Sequence, residues 1–140
     1  MSGKQRCYID SNIWLYAFIE TDDAVKTTLA RNLIQTVEPV ISTQVINEVS
    51  VNLIRKAGFS EKQIRLLIIS FFTKYDVLPV TQMIMLNASQ LRDRYSLSFW
   101  DSLIVASALS ASVSYLYSED MQDGLLVATQ LQIINPFKSE

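Results

Sequence analysis

Apolar positions along this chain follow two rhythms: short continuous runs, as in strands buried on both faces, and longer stretches with apolar residues three and four apart. Cys7-Tyr8-Ile9 is the first short run. It ends in Asp10-Ser11-Asn12, after which Ile13, Trp14, Leu15 and Ala17 predict a helix from Ser11 to about Glu20. Thr21-Asp22-Asp23 reads as a turn whose acids favour the start of a second helix, with Ala24, Val25, Leu29, Leu33 and Ile34 on one side and a stop near Glu38-Pro39. Val40-Ile41-Ser42 is the next strand. From Thr43 to Lys56 the stripe Val45, Ile46, Val49 and Leu53 predicts a third helix with Glu48 at its border, ended by Gly58.

Ser60-Glu61-Lys62-Gln63 has the form of a capping box before the amphipathic run Ile64 to Tyr75, with Leu67, Ile68, Phe71 and Phe72 facing inward. Asp76 to Val80 is strand-like, and Thr81 caps a helix through Arg94. Ser98 caps another from Phe99 to about Ser112. Val113 to Ser118 is a buried strand, the acidic turn Glu119 to Gly124 follows, and Leu131 to Ile134 is the last strand. Strands alternating with helices, with no tight Asn-Gly hairpins, imply a mostly parallel sheet covered on both faces. One domain spanning residues 1–140, with four to five strands, is expected.

Composition narrows the chemistry. With 12 Lys and Arg against 14 Asp and Glu there is no overall basic field, so any contact with phosphates must be local. The single Cys7 lies in the first apolar run; it excludes an internal disulfide framework and any multi-Cys zinc site, and fits a reducing, cytoplasmic setting. No histidine is present, which removes Ser-His-Asp hydrolysis, histidine bases and His-ligated zinc. The N-terminus lacks the apolar core of a signal peptide, and the longest apolar run, around Leu66 to Phe72, is too short to cross a bilayer.

The carboxylates remain as the chemical resource, and four stand out by placement: Asp10 after a strand, Glu48 on a helix border, Asp101 in the first turn of a helix and Asp120 after a strand. Each has a plain alternative as an N-cap, a solvated helix acid, half of a capping box or a member of a solvated acidic loop. Ser11 or Asn12 can cap the first helix equally well, which would leave Asp10 free. Two acids at the carboxyl ends of parallel strands and two on helices that can flank that edge form a layout that gathers negative charge in one cleft. Such a cluster persists only with a cation, and hard oxygen ligands without His or thiolate point to Mg²⁺ or Mn²⁺ and hydrolysis of a phosphate ester.

The set Tyr8-Ile9-Asp10-Ser11-Asn12, Asn47-Glu48, Trp100-Asp101-Ser102-Leu103-Ile104-Val105-Ala106, Tyr117-Ser118-Glu119-Asp120 and Ile133-Ile134-Asn135-Pro136-Phe137 resembles the PIN-domain family of metal-dependent ribonucleases, and within it the toxins of VapBC-type toxin–antitoxin pairs. The resemblance covers nearly the whole chain. It implies a three-layer α/β/α sandwich, with Asp10, Glu48, Asp101 and Asp120 holding one or two divalent ions, Asn12 and Ser118 orienting them, and Asp123 an additional member. It also implies single-stranded or loop RNA as substrate, in-line attack of a metal-activated water leaving 5′-phosphate and 3′-hydroxyl ends, a homodimer, and silencing by a small antitoxin.

Candidate basic residues for the rim are Arg55, Lys56, Lys62, Arg65, Arg92 and Arg94, and candidate base-stacking aromatics are Trp14, Tyr16, Phe99 and Trp100, although solvated faces and core packing are the commoner roles. Two other readings are a PIN-like module used only for binding protein or RNA, and another magnesium phosphoesterase such as a phosphatase with Asp10 as nucleophile. The latter usually places a second Asp two residues on, where this chain has Asn12.

Overall fold

Strand β1 (Arg6–Ile9) forms where three apolar residues stand in succession. Tyr8 and Ile9 point to opposite faces of the sheet and both are fully buried, so helices cover it on both sides. The same holds for Val40 and Ile41 in β2 (Glu38–Ser42). The computed structural model describes residues 3–19 and 23–138. Its sheet is completed by β3 (Asp76–Leu78), β4 (Tyr115–Tyr117), β5 (Leu126–Val127) and β6 (Leu131–Ile134), in the order β3-β2-β1-β4-β6-β5. Every neighbouring pair is parallel except β5 with β6. From β1 the chain moves outward through β2 to β3, then returns past β1 to lay down β4. The two directions part between β1 and β4, and a crevice forms there at the carboxyl ends of the strands.

Among the described residues six helices link the strands: α1 (Ser11–Phe18), α2 (Ala24–Thr36), α3 (Thr43–Ala57), α4 (Glu61–Lys74), α5 (Gln82–Arg94) and α6 (Phe99–Ser110). Their ends follow the local chemistry. Ser60 and Gln63 exchange both bonds of a capping box, Thr81 Oγ1 accepts the Ile84 amide at 3.3 Å, and α3 stops where Gly58 adopts φ +66°, a conformation that disfavours other residues. Asp23 caps α2; the remainder of the expected turn, Thr21-Asp22, lies outside the described residues, as does Glu20 at the expected end of the first helix, which stops at Phe18.

The sheet has six strands rather than four or five. The added one, β5, is two residues long and antiparallel, too short for any period to show. The expected strand from Val113 to Ser118 contracts to Tyr115–Tyr117, because the chain first leaves α6 through Ser112 at φ 57°. β2 starts earlier than expected, at Glu38, with Pro39 buried opposite Cys7. Burial pushes the Cys7 thiol up to about 11, in keeping with a packing role.

Trp14 ties the start of α1 to the core. Fully buried, it donates from Nε1 to the Ile9 carbonyl at 3.1 Å and packs against Phe71 and Tyr75, with ring centroids 5.1 and 4.9 Å away. A Trp14→Ala replacement leaves a large cavity and an orphaned carbonyl, and should cost about 3–5 kcal/mol. Urea unfolding followed by circular dichroism measures this, and a loss below about 1 kcal/mol would contradict the packing described.

Candidate active site

Asp10 follows β1 directly and its amide donates to the Tyr117 carbonyl at 3.0 Å, extending the β1–β4 pairing to the crevice. The expectation that Ser11 or Asn12 caps α1 does not hold: Asp10 is the cap, its Oδ1 accepting the Ser11 amide at 2.7 Å. Its Oδ2 accepts from Ser118 Oγ at 2.9 Å. Ser11 Oγ also reaches Oδ1, at 3.5 Å, while Oδ2 keeps a second lone pair, so capping leaves acceptor capacity. The carboxylate is 5% exposed, and desolvation lifts its pKa from the ordinary 3.8 to about 6 against the opposing bonds from Ser11 and Ser118. Asp101 and Asp120 push it the same way.

Ser118, fully buried after β4, serves two acids. Its hydroxyl donates to Asp10 and accepts the Asp120 amide at 3.3 Å. Asp120 is further fixed by Asn12, whose Nδ2 donates to Oδ2. Burial, Glu119 and Asp101 raise its pKa, while the Asn12 bond lowers it. Glu48 projects from α3 with Oε1 buried and without a hydrogen-bond partner. Burial lifts it to about 7, with Asp10, Asp101 and Asp120 adding repulsion against the lowering effect of the Gln44 side chain. Asp101 occupies the first turn of α6, where its amide donates to Ser98 Oγ at 3.1 Å. Unlike Gln63 at α4, its side chain makes no return bond to its cap among the described residues, so the carboxylate is not consumed by capping.

Asp10, Glu48, Asp101 and Asp120, from four separate elements, thus lie within electrostatic reach of one another. Among the described residues, no three acidic or cysteine side chains are grouped tightly enough to grip an ion. Asp10 and Asp120 accept from protein donors.

The structure sorts the other candidates. Asp123 is not brought in: Oδ1 accepts the Asn135 amide at 2.7 Å and Oδ2 lies 3.9 Å from Lys138, which fixes the turn before β5 to the end of β6. Glu119 turns the other way from Asp120, ion-paired with Lys26 and accepting from Tyr16 at 2.8 Å. The sequence reading missed Lys26 here, as nothing local to it signals a partner 93 residues away. Arg94 lines a cavity of about 330 Å³ with Asp101 and Asp120, and Lys56 lines another of about 390 Å³ beside Asn12. Arg92 lines a third with Glu48, whereas Arg55, Lys62 and Arg65 line none of the three. Trp14 is core and Tyr16 sits under Lys26, while Phe99 and Trp100 stay exposed.

The fold is similar to that of a toxin–antitoxin complex from Klebsiella pneumoniae, with a TM-score of 0.72 and 18% identity over 95% of this chain and 99% of that one. It is also similar to VapC20 from Mycobacterium tuberculosis, a sarcin-ricin loop cleaving toxin (TM-score 0.65, 19% identity, 79% of this chain and 86% of that one). VapBC2 from Rickettsia felis, solved bound to a DNA fragment from their promoter, gives 0.64 and 15% over 92% of this chain and 97% of that one. No curated protein sequence matches the chain significantly. A sequence profile of the PIN domain matches residues 7–122, a span that contains all four acids, and the chain belongs to the PIN domain family.

Proposed function

We infer that the protein is a divalent-metal-dependent endoribonuclease that hydrolyses RNA phosphodiesters, and that it is the toxin of a toxin–antitoxin pair. The observation that carries this reading is the convergence of four carboxylates at the β1/β4 crevice, three of them, Asp10, Glu48 and Asp120, withdrawn from water. The buried, unpartnered Glu48 Oε1 fits a cation site, because an acceptor withdrawn from water without a donor is costly unless a positive charge meets it. An all-oxygen donor set suits Mg²⁺ or Mn²⁺, held by Asp10, Glu48, Asp101 and Asp120. When bound, such an ion supplies a Lewis acid for the phosphodiester and an acidified water.

The chain's own residues do the rest. Ser11 and Ser118 fix the Asp10 carboxylate, and Asn12 fixes Asp120. That bond also weighs against Asn12 standing in for the second acid of a phosphatase. Arg94, Arg92 and Lys56 at the three cavities temper the field that a polyanion meets on approach.

The toxin reading draws on the toxin–antitoxin neighbours and on exposed apolar side chains that a small antitoxin or a second copy would cover, Leu66, Ile69 and Phe72 on α4, the last exposed where the sequence pattern turned it inward, and Met83 and Leu86 on α5. No helix among the described residues is long and apolar enough to cross a membrane. Expression without a partner should arrest growth of the host; normal growth with soluble protein present would count against the toxin reading.

Purified protein should cleave unstructured RNA with Mn²⁺ or Mg²⁺ and stop on chelation. Asp10→Asn or Asp101→Asn should reduce cleavage to background with an unchanged circular dichroism spectrum, and wild-type rates in either variant would reject the site.

The pH dependence of stability gives a second test. Asp10 and Glu48 bind protons more tightly in the folded protein than their ordinary values of 3.8 and 4.5. Their contribution is therefore fully present below about pH 4 and is lost as pH rises through about 6 and 7. Metal-free protein should lose melting temperature across that window, less steeply in Asp10→Asn. Mn²⁺ should raise the wild-type melting temperature more at pH 8 than at pH 5, and equal shifts at both would contradict binding by these acids.

A further inference from the structure

A cavity of about 710 Å³ opens beside Glu48, among α3, α5 and the first turn of α6. Its lining includes Trp100, Phe99, Arg92, Gln44 and Asn47. Arg92 is held in place: Nη1 donates to the fully buried Ser102 Oγ at 2.6 Å, and its guanidinium lies 4.4 Å from the Phe99 ring centre. Phe99 in turn meets Trp100 edge to face, with centroids 5.2 Å apart and planes at 78°. Trp100 is thereby braced on one side while 63% exposed, and no other ring among the described residues packs on it. Gln44 donates from Nε2 to the Trp100 carbonyl at 3.3 Å, which leaves its Oε1 buried without a donor.

An exposed indole beside a buried acceptor without a donor fits a flat aromatic ligand carrying an N–H on its edge. Glu48 joins this cavity to the acids, so such a ligand lies next to the reacting phosphodiester. We propose that the cavity takes an unpaired nucleobase flanking the bond to be cut, stacked on Trp100 and donating an N–H to Gln44 Oε1. This deepens the ribonuclease reading and rests on it. A base inside a duplex has both faces stacked and its pairing edge taken, so the cavity selects single-stranded or looped RNA. Arg92 adds a cation beside a strand whose backbone is anionic, a feature that an apolar peptide does not call for.

Binding is measured with Asp10→Asn protein, metal chelated, by the anisotropy of a labelled unstructured RNA oligonucleotide and of the same strand paired to its complement. Adding Trp100→Ala should weaken single-strand binding on the order of tenfold, the usual effect of losing one stacked base, and Gln44→Leu should weaken it by a smaller factor. Duplex binding should be weaker and indifferent to both changes. Single-stranded RNA should also quench tryptophan fluorescence, a signal lost in Trp100→Phe because Trp14 is buried.

Unchanged single-strand affinity in both variants overturns the proposal, as does equal loss for single strand and duplex. It is overturned too if Trp100→Ala turns a dimer into a monomer by sedimentation with RNA affinity intact, since a second copy then fills the cavity. Because binding is read without metal or the Asp10 carboxylate, the two readings fail separately. Trp100-dependent binding without metal-dependent cleavage by the wild type sinks only the nuclease, and cleavage with Trp100-independent binding sinks only the cavity.

Discussion

Repulsion among carboxylates withdrawn from water is the constraint around which this fold is arranged. Asp10, Glu48, Asp101 and Asp120 each approach the same crevice from a different element, and burial raises the pKa of Asp10, Glu48 and Asp120. Nothing about packing asks for this. A core of Tyr8, Ile9, Val40, Ile41 and Leu116 closes around the sheet without any charge, so the acids oppose folding and are tolerated because that core is large enough to carry them. Groups that strain a fold without stabilising it mark sites of chemistry more reliably than groups that stabilise it.

Nearby charges are treated in opposite ways. Glu119 is neutralised by Lys26 from α2 and by the Tyr16 hydroxyl, and Asp123 is bonded to the Asn135 amide. Asp120, between them in sequence, accepts from the neutral amide of Asn12 and feels the repulsion of Glu119 and Asp101. The acidic turn is therefore divided: two of its members hold the loop in place and one faces the crevice.

Much of this architecture was legible from residue order. The placement of Asp10 after an apolar triplet, the capping box at Ser60, the left-handed stop at Gly58 and the stripe that puts Glu48 at a helix border are all local signals, and local signals survive folding. What stayed hidden was either too short or too remote. β5 has two residues, and the partition of Glu119, Asp120 and Asp123 depends on Lys26, Asn12 and Asn135 elsewhere in the chain. Trp14 and Trp100 look alike in sequence, each near the start of an apolar helix. Only assembly buries the first beneath α4 and leaves the second at the mouth of a cavity. For the first-turn acid Asp101 the sequence offers both a site role and half of a capping box, and only the side-chain geometry, which lacks the return bond, separates them.

Ser118 carries a consequence of its own. A hydroxyl has one proton, and this one is given to Asp10 while the oxygen receives the Asp120 amide, so the bonds run in a single direction from the loop backbone through Oγ to the strand-end carboxylate. Bonds aligned head to tail polarise one another. A change of charge on Asp10 is thereby felt in the main chain at Asp120, and the two strand ends respond as a unit although they lie 108 residues apart along the chain.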